Sequence, residues 1–104
     1  NVAAIELRRR SMAEERYELY YWNDISKNEV DFVLKKDKGI IQLIQVTYAN
    51  SKEDIPEREI KSLLKASVAL KCKNILIITW DYENEEEIES HKIKYIPLWK
   101  WLLA

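Results

Sequence analysis

Two alternating apolar runs separated by a polar turn leave this chain few ways to fold. They are "EVDFVLKK" (Glu29–Lys36) and "IIQLIQVTY" (Ile40–Tyr48), joined by the Gly39-containing "KDKG". Period-two alternation of this kind is the mark of strands, and so short a connection makes them an antiparallel hairpin. Val30, Phe32 and Leu34 fall on one face, with Glu29, Asp31 and Val33 on the other. A turn centred near Lys38 sets Asp31 opposite Gln45, Glu29 opposite Thr47, and Val33 opposite Leu43, with Val30–Val46 and Phe32–Ile44 paired on the second face. Directly opposed side chains are near enough to interact, so Glu29, Asp31, Gln45 and Thr47 form one polar cluster. An aspartate inside a strand is unusual and is costly to bury unpartnered.

The segments around the hairpin extend the pattern. Residues Asn1–Ala13 favour helix, with Val2, Ile5 and Arg9 on one side; "YELYYW" (Tyr17–Trp22) is strand-like and "NDISKN" a turn. Asp54 and Glu57 resemble a capping box with Pro56 in the first turn, opening a helix that runs to about Leu70. Ile60, Leu63, Leu64, Ser67 and Val68 form its inward stripe. "NILIITW" (Asn74–Trp80) reads as a strand covered on both faces. "DYENEEEIES" reads as a solvated acidic loop, "HKIKYIPLW" as a last strand, and Pro97 starts a short terminal helix. The order is α-β-β-β-α-β-β-α, and a right-handed helical crossover leaves the third and fourth strands parallel.

A length of 104 residues suits one domain with a modest core. A net charge of −1 gives no global attraction to nucleic acid and confines any such binding to a local basic patch. Cys72 is the single cysteine, which excludes an intrachain disulfide and a cysteine metal cluster and points to a reducing cytoplasm. No run approaches membrane-span length and no signal peptide is visible. The Lys-, Glu- and Ile-rich composition, with one Gly, fits a heat-adapted protein. The chain starts at Asn1 without Met and enters helical pattern at once, as expected of a fragment from a longer protein.

The element order and the placement of Glu6, Asp31 and "QVT" (Gln45–Thr47) resemble the PD-(D/E)XK nuclease superfamily, the restriction-endonuclease-like fold that includes archaeal Holliday-junction resolvases. That resemblance implies an α-β-β-β-α-β core with a mixed sheet flanked by helices. It also implies a helix Glu, a strand Asp and a Glu-x-Lys at those three places. Together "YELYYWND", "NEVDFVL", "LIQVTY", "EREIKSLLKAS" and "LIITWD" resemble, more narrowly, the C-terminal nuclease-like domain of archaeal and bacterial AAA-type ATPases, a domain family of unknown function. The implied partner is an upstream ATPase domain; no G-x-x-x-x-G-K-[ST] occurs in this chain.

The superfamily's chemistry needs carboxylates for Mg²⁺ or Mn²⁺ and a cation near the scissile phosphate. Gln45 lacks the charge and Thr47 the ammonium, leaving Asp31 as a weak metal ligand at most. Lys61, on a stripe with Arg58 and Lys65, is the candidate replacement cation; an ion pair with Glu57 is its plainer use. Glu6 has two candidate partners, Asp31 across the helix–sheet seam or the adjacent Arg9 and Arg10. Arg8, Arg9 and Arg10 are the first candidates for phosphate contacts, with Arg58 and Lys65 second. His91 has no companion at zinc-ligand spacing, and Cys72 no evident base. Trp99 and Trp101 cannot share one helix face, so one is a candidate to cover a neighbouring domain or subunit. Three readings follow: a non-catalytic nuclease-like module binding nucleic acid or a protein, an active Mg²⁺-dependent endonuclease with a divergent site, and a docking or oligomerisation domain.

Overall fold

The computed structural model describes residues 1–13 and 16–104. Helix α1 (Val2–Met12) leads into β1 (Glu18–Asn23), β2 (Glu29–Lys36) and β3 (Gly39–Val46). A single turn of tighter helix at Lys52–Asp54 precedes α2 (Glu57–Leu70), followed by β4 (Asn74–Thr79), β5 (Asn84–Ile88), β6 (His91–Pro97) and α3 (Leu98–Leu103). The strands form one mixed sheet in the order β1-β2-β3-β4-β6-β5. β3 runs parallel to β4 and β4 parallel to β6, while the remaining neighbours are antiparallel. The mixed sheet with flanking helices is the architecture expected from the sequence.

Each face of the sheet carries its own core. Val30, Val33, Leu43, Ile75, Ile77, Ile93 and Tyr95 pack with Ile60, Leu63 and Leu64 of α2. On the opposite face, Leu34, Ile44, Leu76, Ile78 and Ile96 pack with Ala3 and Leu7 of α1 and Trp101 of α3. β4 supplies both clusters from alternate positions, which is why its sequence is apolar throughout. Fully burying one such isoleucine contributes roughly 1.5–3 kcal/mol. No helix among the described residues is long and apolar enough to cross a membrane.

Several expectations are corrected. The acidic stretch after β4 is not simply a loop, because Asn84–Ile88 forms the edge strand β5. Its signal is electrostatic rather than apolar: Glu85 lies opposite Lys94 and Glu87 opposite Lys92. The Asp54–Glu57 capping box does not form. Asp54 instead accepts the Asn50 N–H at 3.3 Å, and Pro56 is the N-cap of α2, without a side-chain cap bond. Val68 is 71% exposed, and Ser62 and Ala66 take the inward positions beside Ser67. In α1 the inward residues are Ala3 and Leu7, leaving Val2 and Ile5 exposed. The Val30–Val46 pairing also fails: Val30 joins the α2-side core, whereas Val46 packs on the α1 side.

Candidate functional site

That last failure has its cause at Asp31. Across β1 and β2, Tyr20 opposes Val33 but Trp22 opposes Val30, so Tyr21 faces both Asp31 and Phe32. This is a β-bulge on β2. It reverses the alternation N-terminal to it and turns Val30 toward α2. On the β3 side the expected register holds from Phe32 opposite Ile44 to Leu34 opposite Gln42, and it shifts by one nearer the turn, where Lys35 lies opposite Ile40 and Lys36 opposite Gly39. From Asp31 onward, side chains continue the hairpin. Gln45 Oε1 accepts the Asp31 backbone N–H at 2.9 Å, and Asp31 Oδ2 accepts the Val46 N–H at 3.1 Å.

Gln45 has a second tie. Its Nε2 donates to Glu59 Oε1 of α2 at 3.3 Å, while Glu59 Oε2 is buried without a hydrogen-bond partner among the described residues. The sequence reading sets Asp31 and Gln45 on the side met by the first helix. Instead Gln45 is tied to the second, while Asp31 borders both, lining this side with Glu59 and a groove with Ala4 and Arg8 of α1. Burial raises the Asp31 carboxyl above its ordinary pKa against the pull of the Val46 N–H, and the Glu29 charge adds to the rise. Burial also raises Glu59, opposed by the Gln45 amide and reinforced by the Asp31 charge. These groups line a pocket of about 410 Å³ whose cationic side chains are Lys27 and Arg58. Nearby, Ser62 donates to Asn28 Oδ1 at 3.1 Å and Asp24 accepts the Asn28 N–H at 2.9 Å, tying α2 to the β1–β2 turn.

The remaining candidates separate. Arg9 donates to Glu6 at 3.0 and 2.7 Å and Arg10 donates to it at 2.6 Å. Those bonds hold the Glu6 carboxyl at about 2. Of the two partners open to Glu6, the arginines take it. Arg10 also lies 4.5 Å from the Trp101 ring centroid and donates to the Trp101 and Ala104 carbonyls at 2.9 and 3.2 Å. Arg8 is exposed and lines a separate groove with Tyr20, Tyr21 and Asp31. Thr47 is half-buried and its backbone N–H donates to Ile78 O at 2.9 Å. Lys61 lines a different cleft with Glu57, Ile88 and Glu89, and Lys65 is exposed. His91 bonds the Glu89 carbonyl within the β5–β6 turn, and Cys72 is buried in the α2-side core.

Sequence reasoning missed Glu59. The available signal was the run Glu59, Ser62, Ala66 at helical spacing beside the apolar stripe, a line of small or polar residues able to approach the hairpin. The donor set does not fit a complete divalent-cation site. Gln45 Oε1 is committed to Asp31, and among the described residues no three His, Cys, Asp or Glu side chains converge as metal ligands. A family model described as a domain of unknown function (DUF4143) matches residues 1–101, and the chain belongs to that family. No curated protein gives a significant match.

Proposed function

We propose that this DUF4143 domain is a non-catalytic, nuclease-like module on the C-terminal side of an AAA-type ATPase, acting by binding nucleic acid or a protein partner. One observation carries this reading. Both ends of the Gln45 amide are used to hold Asp31 and Glu59, at the position where the nuclease resemblance calls for a metal-binding carboxylate. A residue engaged in this way acts as a structural tie. Phosphate contacts fall to Arg8, beside two exposed tyrosines, and to Arg58 and Lys65. Such binding is weak, sequence-independent and lost as salt rises. Gel-shift titrations on a mixed-sequence duplex at 50 and 200 mM salt (chosen conditions, about a fourfold span) test it. Tight, salt-insensitive binding would contradict it.

A divergent metal-dependent endonuclease is the second reading, and Glu59 favours it. This residue brings a second carboxylate into the Asp31 pocket from α2, with one oxygen unused. Plasmid cleavage in the presence of Mg²⁺ or Mn²⁺ separates the two readings.

A further inference from the structure

Past the end of β4, Trp80 and Asp81 face α3 across an open cleft of about 470 Å³, lined also by Leu98, Trp99 and Leu102. It shares no lining residue with the Asp31 pocket. Trp80 and Trp99 are 55% and 57% exposed. Large apolar surface left open in this way marks an interaction site. The wall carrying Trp80 is well anchored. The Trp80 and Asp81 N–H groups both donate to the Ala49 carbonyl, at 3.1 and 3.3 Å, and the Trp80 ring packs tilted against Tyr48 with centroids 6.4 Å apart. Among the described residues, no hydrogen bond or ion pair engages the Asp81 carboxylate.

The inner side of α3 shows what such parts hold. There the Arg10 guanidinium lies over Trp101 at 4.5 Å, and its charge is met by Glu6 at 2.6 Å. The outer cleft repeats the aromatic rings and the carboxylate without the cation. We infer that the Trp80–Trp99 cleft is a docking site for an arginine-bearing segment of a partner protein. The guanidinium sits against the indoles and pairs with Asp81, while flanking apolar side chains rest on Leu98 and Leu102. Arginine suits this site better than lysine, because its planar, weakly hydrated group stacks on rings while it bonds a carboxylate. Nucleobases also stack on tryptophan. Their phosphates, however, would lie beside Asp81, whose carboxylate no cation meets among the described residues.

The test follows the indole N–H signals of the ¹⁵N-labelled chain as the peptide acetyl-Gly-Leu-Arg-Leu-Gly-amide is added. The same peptide with citrulline in place of arginine and a short oligothymidylate serve as comparisons. The Trp80 and Trp99 signals are expected to move with the arginine peptide while Trp101 stays. Citrulline should weaken binding about threefold or more, the scale of an exposed cation–π contact. Asp81→Asn should weaken the arginine peptide about threefold and leave the citrulline peptide unchanged. Trp99→Ala, at an exposed position, should retain the melting temperature and lose the response. Equal binding of the arginine and citrulline peptides overturns the inference, as does indifference to Asp81→Asn. A response to the oligonucleotide alone, or none to the peptide at millimolar concentration, overturns it as well.

Discussion

The side-chain oxygen of Gln45 accepts the backbone N–H of Asp31 at 2.9 Å, so a side chain does the work of a ladder carbonyl where the β2–β3 pairing ends beside the bulge. The same amide reaches Glu59 on α2 and joins hairpin to helix. Gln45→Ala removes both bonds and leaves a half-buried N–H and a carboxylate unserved. The expected loss is about 1–3 kcal/mol in urea unfolding. A loss below about 0.5 kcal/mol, the size of an ordinary surface substitution, would show that the tie is dispensable.

Glu59 sets the pH response of this region. Burial raises both Asp31 and Glu59, so the folded chain keeps these protons to higher pH than the unfolded chain does. It therefore binds more protons just above the ordinary carboxylate range, and their contribution to stability falls as pH rises through that window. Glu59→Gln should be more stable than the parent at pH 7, with the difference vanishing once both carboxyls are protonated in acid. Melting curves across this range check it; a difference constant with pH would contradict it.

Glu6 works in the opposite direction. Its carboxyl is held at about 2 by Arg9 and Arg10, against an ordinary 4.5. The stability it contributes is complete above 4.5 and is lost as pH falls toward 2. Glu6→Gln should therefore destabilise at neutral pH and converge on the parent in acid, the reverse of Glu59→Gln in the same assay.

The arginine run, uniform in sequence, should divide in experiment. Arg10 bonds Glu6 and two carbonyls of the C-terminal helix and stacks on Trp101. Arg10→Ala is expected to cost about 1.5–3 kcal/mol, the range for charged hydrogen bonds, and Arg10→Lys should recover little, since an ammonium neither forks nor stacks. Arg8→Ala should leave stability within about 0.5 kcal/mol. It should lower the salt dependence of nucleic-acid binding by about one phosphate contact. If Arg8→Ala leaves the salt slope unchanged, the groove beside Tyr20 and Tyr21 is not the phosphate surface.

What could be read from the sequence was whatever left a periodic signal. The pairing of Val33 with Leu43 followed from period-two alternation and a short turn. The twofold burial of β4 followed from its unbroken apolar run, and the parallel crossover from the helix between β3 and β4. The bulge left no such signal in "EVDFVL", because it arises from pairing with β1 and not within the hairpin. β5 was missed because its alternation is written in charge, and an acidic run looks the same whether it floats in water or faces Lys92 and Lys94. Glu59 was hidden because its role depends on Gln45, which is remote in sequence. The split among Arg8, Arg9 and Arg10 depends likewise on Trp101, at the far end of the chain.

Whether the Asp31 pocket does chemistry separates a binding module from a nuclease. The direct measurement is cleavage of supercoiled plasmid by the unmodified chain in Mg²⁺ or Mn²⁺, run beside Asp31→Ala and Glu59→Gln. The expected result is intact plasmid with all three proteins. Cleavage by the unmodified chain that disappears in Asp31→Ala and in Glu59→Gln would contradict it, and would make the half-buried pair a working site with Glu59 in place of the missing strand carboxylate.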